Sequence, residues 1–160
     1  MKLITRLLLL FFVGFFFTAC VSENEAPTVN NYFFSAKVDG MPFHVNHELF
    51  CYYTDTGGYT LVGTRSDTAE EFQLHIFTQQ LREQTYSVQS TGDVLVRGVY
   101  QSPEGNYIST GQREGHITIR KYDPEQQFIE GSFAFTVVDT QTGDVKQLTE
   151  GVFRVKKKLF

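Results

Sequence analysis

Residues 132–137 have the sequence Ser-Phe-Ala-Phe-Thr-Val, and this stretch decides the fold class. Every second residue, beginning with Phe133, is large and apolar, while the residues between are small or polar. Successive side chains of a β-strand point to opposite faces, so this alternation predicts a strand with one buried face. Residues 72–76, Phe-Gln-Leu-His-Ile, repeat the pattern and predict a second half-buried strand.

The chain from Tyr32 onward carries the same signal almost throughout. Asp39-Gly40 lies between two extended runs, and both residues tolerate the positive φ of a tight hairpin turn. No apolar pattern reaches the length of a crossover helix, which disfavours a parallel sheet. We therefore expect one all-β, antiparallel domain of about eight to ten strands, folded as a β-sandwich or barrel. The other predicted strands are residues 34–38, 49–53, 59–64, 94–100, 117–120, 145–148 and 152–155.

The N-terminal residues have the layout of a secretory signal peptide. The basic residues Lys2 and Arg6 precede an apolar run at residues 7–17. A helix needs about 20 apolar residues to cross a bilayer, and this run is shorter. Residues 1–19 are therefore predicted to be a lipoprotein signal peptide; the alternatives are an uncleaved membrane anchor and a plain signal with a buried thiol. We expect a polar tether at residues 20–31 and the β domain at residues 32–160.

Thr18-Ala19-Cys20 resembles the lipobox of bacterial lipoprotein signals. In that family the cysteine carries a diacylglycerol and becomes the mature N-terminus, so the resemblance implies acyl chains of the palmitate type on Cys20. Each buried methylene contributes about 0.8 kcal/mol, and two or three chains give stable attachment. Glu23 and Glu25 resemble the export signal of surface lipoproteins. We expect an outer-membrane lipoprotein exposed at the cell surface, or otherwise facing the periplasm.

The composition argues against two classes of protein. The formal net charge is −4, and the predicted signal peptide would remove two basic residues and no acidic one. Nucleic-acid binding needs clustered Lys and Arg, and the only basic run, residues 156–158, is expected to be a solvated terminus. If Cys20 is acylated, Cys51 has no partner within the chain, which excludes a disulfide scaffold. Cys51 is expected to be a small buried hydrophobe.

Several motifs resemble a family of uncharacterised Bacteroidetes-type lipoproteins. The opening stretch is residues 34–43, Phe-Ser-Ala-Lys-Val-Asp-Gly-Met-Pro-Phe. The closing stretches are residues 115–123, 129–135 and 149–153, which contain the patterns ITxxKYD, GxFxF and EGxF. The resemblance implies an all-β lipoprotein domain and supplies no activity. Gly131 and Gly151 are predicted to mark bulges or close strand approach.

The sequence contains little that predicts catalysis. His44, His47 and His75 are candidate metal ligands together with Cys51, but strand residues three apart face opposite sides. No zinc-ligand pattern, nucleophile elbow, P-loop or dinucleotide fingerprint is present. The chain is therefore predicted not to be an enzyme and to need no metal or cofactor. The scattered carboxylates are expected to make turns; they are Glu70, Glu71, Asp93, Glu104, Asp123 and Glu125.

The tyrosines are the best candidates for recognition, because tyrosine is enriched at binding surfaces. Tyr52, Tyr59, Tyr100 and Tyr107 are predicted ligand-binding residues, unless they serve as amphipathic cover over the core. The expected function is a lipid-anchored, non-enzymatic binding or assembly module for an envelope protein or an external ligand. The alternatives are a glycan-binding surface lipoprotein and a metal-assisted hydrolase. Besides the membrane, the expected partner is an envelope protein or a glycan, and nucleic acid is not expected.

Overall fold

A computed structural model describes residues 32–55, 57–88 and 95–158; 68% of the described residues lie in strands and none of them in a helix. No helix capable of crossing a membrane occurs within these ranges. The predicted signal peptide and tether lie outside them. The eleven strands are β1 Phe33–Val38, β2 Met41–His44, β3 Leu49–Thr54, β4 Gly58–Arg65, β5 Glu70–Phe77, β6 Thr85–Ser87, β7 Leu95–Ser102, β8 Gly105–Ser109, β9 Gly115–Asp123, β10 Phe128–Asp139 and β11 Val145–Lys156.

The strands form one antiparallel sheet that curls into a half-barrel. The main path is β2-β1-β11-β10-β8-β7-β5-β4-β3, and β9 and β6 branch from β10. Strand β10 is long enough to pair with two neighbours along one edge, β9 in its first part and β8 at its end. The Lys158 amide donates to the Cys51 carbonyl at 2.6 Å, which brings the end of β11 to β3. The predicted all-β, barrel-like fold class is confirmed.

Local backbone geometry explains where the predicted strands were right and where they were wrong. Asp39 and Gly40 have φ values of 50° and 84°, as a two-residue hairpin turn requires. The two strands predicted within residues 145–155 are one strand, because Glu150 with φ 50° makes a bulge beside Gly151. Two short strands are not predicted from the sequence: β6, with three residues, and β8, with five.

The antiparallel order gives the half-barrel two distinct ends. The turns β1–β2, β4–β5, β7–β8 and β10–β11 share one end, which we call the mouth end. The turns β3–β4 and β9–β10 share the other, which we call the base end. Phe33 pairs with Arg154, so the start of β1 and the finish of β11 both lie at the base end.

The core is built from phenylalanine rings that lie directly over glycines. Phe133 packs 5.2 Å from the ring centroid of Phe34 and sits above Gly151, where an added Cβ would be 2.5 Å from the ring. Phe135 covers Gly98 in the same way, at 2.7 Å. Neither glycine leaves space for a methyl group beneath the ring, as expected for protein interiors, which are packed at the density of organic crystals. The predicted close approach at Gly151 is therefore confirmed.

Gly151→Ala is expected to destabilise the domain by about 1–3 kcal/mol, because the added methyl group overpacks the core beneath Phe133. The backbone φ of Gly151 is not positive, so an alanine there causes no backbone strain, and the loss of stability comes from the clash with Phe133. Urea unfolding measures it. Combining the substitution with Phe133→Leu should give a non-additive loss, because the smaller side chain makes room for the methyl group. A fully additive double variant would contradict this packing.

Candidate functional site

The mouth end carries a pocket of about 380 Å³, which we call the mouth pocket. Turns from four hairpins contribute to it, and residues far apart in sequence meet there because antiparallel strands return repeatedly to the same end. Its size lies at the lower end of the range for small-ligand sites. The lining residues are Val38, Asp39, Met41, Thr68, Glu70, Tyr100, Ser102, Pro103, Glu104 and Lys146.

Lys146 forms one side of the mouth pocket. Its ammonium group lies 3.0 Å from Glu104 Oε2 and 3.8 Å from Asp39 Oδ2. It also lies 5.1 Å from the centroid of the Tyr107 ring, a favourable cation–π distance. The Lys146 side chain is 17% exposed, whereas that of Glu104 is 72% exposed, so the lysine is the fixed partner. Lys146 pairs with Val137 in the sheet, and this register directs it inward.

Glu70 forms the opposite side. Its carboxylate accepts hydrogen bonds from the hydroxyl groups of Tyr100 and Thr68. The Arg65 guanidinium lies 3.3 Å from Glu70 Oε2 and stacks 5.5 Å from the ring centroid of Phe43. Glu70 is therefore held by three partners and is largely buried, with 16% of its side chain exposed. Met41, at the rim, is 71% exposed and gives the pocket an apolar surface.

The electrostatics of the mouth pocket suit recognition. Its lining holds three carboxylates and one ammonium group, so the local charge is negative. The hydrogen bond to Glu104 raises the pKa of Lys146, which keeps it cationic at neutral pH. Burial and then the bond to Glu70 raise the pKa of Tyr100, which keeps it a neutral phenol. Such a site favours a neutral or cationic ligand over an anion.

Asp139 fixes the hairpin that carries Glu104. Its Oδ1 accepts from the amides of Gln141 and Thr142 at 2.7 and 3.2 Å, and its Oδ2 accepts from the Asn106 amide at 3.3 Å. One buried carboxylate thus ties the β10–β11 turn to the start of β8. These hydrogen bonds, first that from Gln141, lower the pKa of Asp139.

The predicted tyrosines do not form an exposed surface. Tyr59, Tyr100 and Tyr107 are at most 5% exposed and belong to the core. Tyr52 lies on the outer face, where its ring centroid is 5.9 Å from that of Phe50. Three of the four tyrosines therefore cover the core, which was the alternative reading, because strand parity turns their side chains inward. Of the four, Tyr100 lines the mouth pocket, and it does so next to Glu70.

The candidate metal ligands are not brought together. Within residues 32–55, 57–88 and 95–158, no group of three His, Cys, Asp or Glu side chains is arranged to hold a metal ion. His75 on β5 bonds through Nδ1 to the Thr60 hydroxyl at 3.0 Å, and burial lowers its pKa. Cys51 is a free, fully buried thiol, as predicted, and burial raises its pKa to about 12. Cys20 lies outside the described residues.

The mouth pocket is not predicted from the sequence. Glu104 is a turn residue, as expected, but Glu70 is the first residue of β5, and the sequence does not single out Lys146. Asp39 was recognised only for its turn. The available signal was weak: each of these residues stands next to a turn, and an antiparallel fold gathers such positions at two ends.

Comparison with known proteins gives a family without a described activity. Residues 30–155 match the family described as a domain of unknown function (DUF6252), and the chain belongs to that family. No curated protein matches the chain. No solved structure matches it either.

Asp139→Asn is expected to lower the melting temperature at pH 7 and to matter less in acid. The folded pKa lies below the unfolded value of about 3.9, so the carboxylate's contribution is complete above that value. It is lost as the pH falls through the lower folded pKa, where wild-type Asp139 is itself protonated. Thermal melts between pH 7 and pH 2.5 should show the two proteins converging.

The control for this prediction is Asp144→Asn, which removes one negative charge from the same turn but leaves the amides of Gln141 and Asn106 bonded to Asp139. Its melting temperature should change much less than that of Asp139→Asn. A difference in melting temperature between wild type and Asp139→Asn that stays constant with pH would contradict the stabilising role of the ionised Asp139 carboxylate.

Proposed function

We propose that this chain is a lipid-anchored cell-envelope protein that works as a non-enzymatic binding module and takes its ligand at the mouth pocket. The observation that supports this most is the placement of the pocket at the end opposite the start of β1. The chain enters the domain at Phe33, at the base end, so the pocket lies at the end of the domain that is far from this entry point. The proposed location is the outer membrane, with the domain exposed at the cell surface.

The chemistry of the pocket favours binding over catalysis. General acids and bases work best when their pKa lies near the operating pH. The pKa values of Lys146 and Tyr100 are raised, which moves both further above neutral pH. Their hydrogen bonds are already formed and hold the side chains in place, which lowers the entropic cost of ordering a bound ligand.

The favoured ligand is a segment of an envelope protein, or an external ligand, that presents a neutral or cationic group. Glu104 and Asp39 supply partly exposed carboxylates, and Met41 supplies an apolar contact. A glycan is the second candidate. Hydroxyl groups of a sugar suit the paired Lys146 and Glu104, although the part of the chain that the structure describes offers the pocket no exposed aromatic ring for stacking.

Thermal melts of the protein with neutral oligosaccharides, Lys- and Arg-containing peptides and anionic sugars test the pocket. A ligand at 100 times its Kd should stabilise by about 2.7 kcal/mol, which raises Tm by several degrees. The double variant Lys146→Met/Glu104→Gln should lose most of that shift. The matched control is Lys37→Met/Glu150→Gln, which removes an exposed ion pair of 2.7 Å elsewhere on the domain and should keep it.

A Tm shift from anionic ligands only would contradict the charge argument. A shift that Lys146→Met/Glu104→Gln leaves unchanged would place the ligand elsewhere. If no small ligand shifts the Tm, the protein partner becomes the remaining candidate, and crosslinking on intact cells through a residue at the pocket rim should capture it.

Cys20→Ala is expected to abolish incorporation of labelled fatty acid and retention in the membrane fraction, because the proposed anchor is the lipid on this thiol. Radiolabelling and fractionation of cells measure both. The control Cys51→Ala should keep the label, since Cys51 is buried in the core. Unchanged membrane retention of Cys20→Ala would contradict lipid anchoring.

A further inference from the structure

The outer face of the base end carries a compact basic patch, which we call the base patch and define by Phe33, Lys121, Phe128, Arg154 and Lys156. Sheet register places these residues side by side, with Phe33 opposite Arg154 and Phe128 opposite Lys156. Lys121 and Lys156 are exposed, and Phe33 is a large apolar side chain that is 45% exposed.

Phe128 organises the cations of the base patch. Its ring lies 4.3 Å from the Arg154 guanidinium carbon and 5.0 Å from Lys121 Nζ. Phe128 is 2% exposed yet lies outside the core cluster, so its neighbours on the outer face cover it. The stems of Arg154 and Lys121 can pack on the ring while their charged ends reach solvent.

Two carboxylates stand beside the three cations of the base patch, which leaves the patch itself with a net positive charge. Glu130 lies 3.8 Å from Arg154, and Asp123 is opposite Phe128 in the sheet. Asp55, Glu83 and Glu125 stand in loops around the base end. Lys157 and Lys158 extend the positive charge towards β3, where they lie over the rings of Tyr59 and Phe50 at 5.5 and 4.0 Å.

The chain enters the domain beside this patch. Phe33 lies thirteen residues after Cys20, and at about 3.3–3.6 Å per residue this segment reaches about 45 Å at most. A lipid on Cys20 would therefore keep the domain close enough to the bilayer for the base patch to reach the headgroups. Anionic headgroups attract Lys and Arg near the surface, and interfacial proteins bury Trp, Phe and Leu side chains at the headgroup boundary.

We propose that the base patch contacts the anionic surface of the bilayer in which the protein is anchored, so that the mouth pocket points away from the membrane. This inference rests on the proposed lipid anchor. The contact adds electrostatic attraction and interfacial burial of Phe33 to an attachment that the acyl chains already provide, and its role is to orient the domain.

Quenching by brominated lipids tests this orientation. The full-length acylated protein is labelled with an environment-sensitive dye at Gln126→Cys or at Gln141→Cys and reconstituted in phosphatidylglycerol/phosphatidylcholine vesicles. The two sites are matched, since each is an exposed glutamine in a turn. The backbone N–H of Gln126 donates to Asp123 Oδ1, and that of Gln141 donates to Asp139 Oδ1. Gln126 lies at the base end and Gln141 at the mouth end.

The dye at residue 126 should be quenched several-fold more than the dye at residue 141. Lys121→Gln/Lys156→Gln should reduce this difference, because each lysine near an anionic surface contributes about fivefold to its attraction. Lys37→Gln, at the mouth end, should not change it. Raising the salt concentration or using pure phosphatidylcholine should weaken the quenching at residue 126.

Mass spectrometry of the same samples separates the two proposals. A chain without acyl groups on Cys20 would overturn the lipid anchor, and the orientation that depends on it. If the chain is acylated and the dye is quenched equally at the two sites, the base-patch contact alone is overturned. The same holds if neither the lysine variants nor salt changes the quenching.

Discussion

The structure depends on phenylalanine rings of β10 that pack against glycines of β11 and β7. Phe133 covers Gly151 and Phe135 covers Gly98, and a single methyl group at either glycine would meet the ring. This contact fills the space above each glycine and lets the curled sheet pack tightly at these two positions. Because the bulge at Glu150 also bends β11 at this point, the same residues set both the curvature of the sheet and the packing of the core.

Curvature gives the domain two ends with different chemistry. The mouth end gathers Asp39, Glu70, Glu104 and Lys146 from four hairpins around a pocket. The base end holds both the start of β1 and the finish of β11, with basic side chains stacked on aromatic rings. A rigid half-barrel between them keeps the two ends apart. In the proposed function, the base end serves attachment and the mouth end serves recognition.

The sequence predicted the fold class because alternation, as in residues 132–137, reports directly which face of a strand is buried. It predicted the turn at Asp39-Gly40 because few residues accept that backbone geometry. It did not predict the mouth pocket, because Glu70 and Lys146 meet only through the order of the strands in the sheet. The prediction that the tyrosines bind a ligand fails at Tyr59 and Tyr107 for a related reason. It rests on residue type, whereas strand parity turns these two side chains into the core.

Hydrogen exchange tests the two-ended organisation most directly. The acylated protein would be compared on anionic vesicles and in neutral detergent, with exchange read by mass spectrometry for each end. The account predicts slower exchange on vesicles in residues 121–128 and 154–158, with residues 102–106 and 139–146 unchanged. Slower exchange at the mouth end, or no difference at either end, would contradict it.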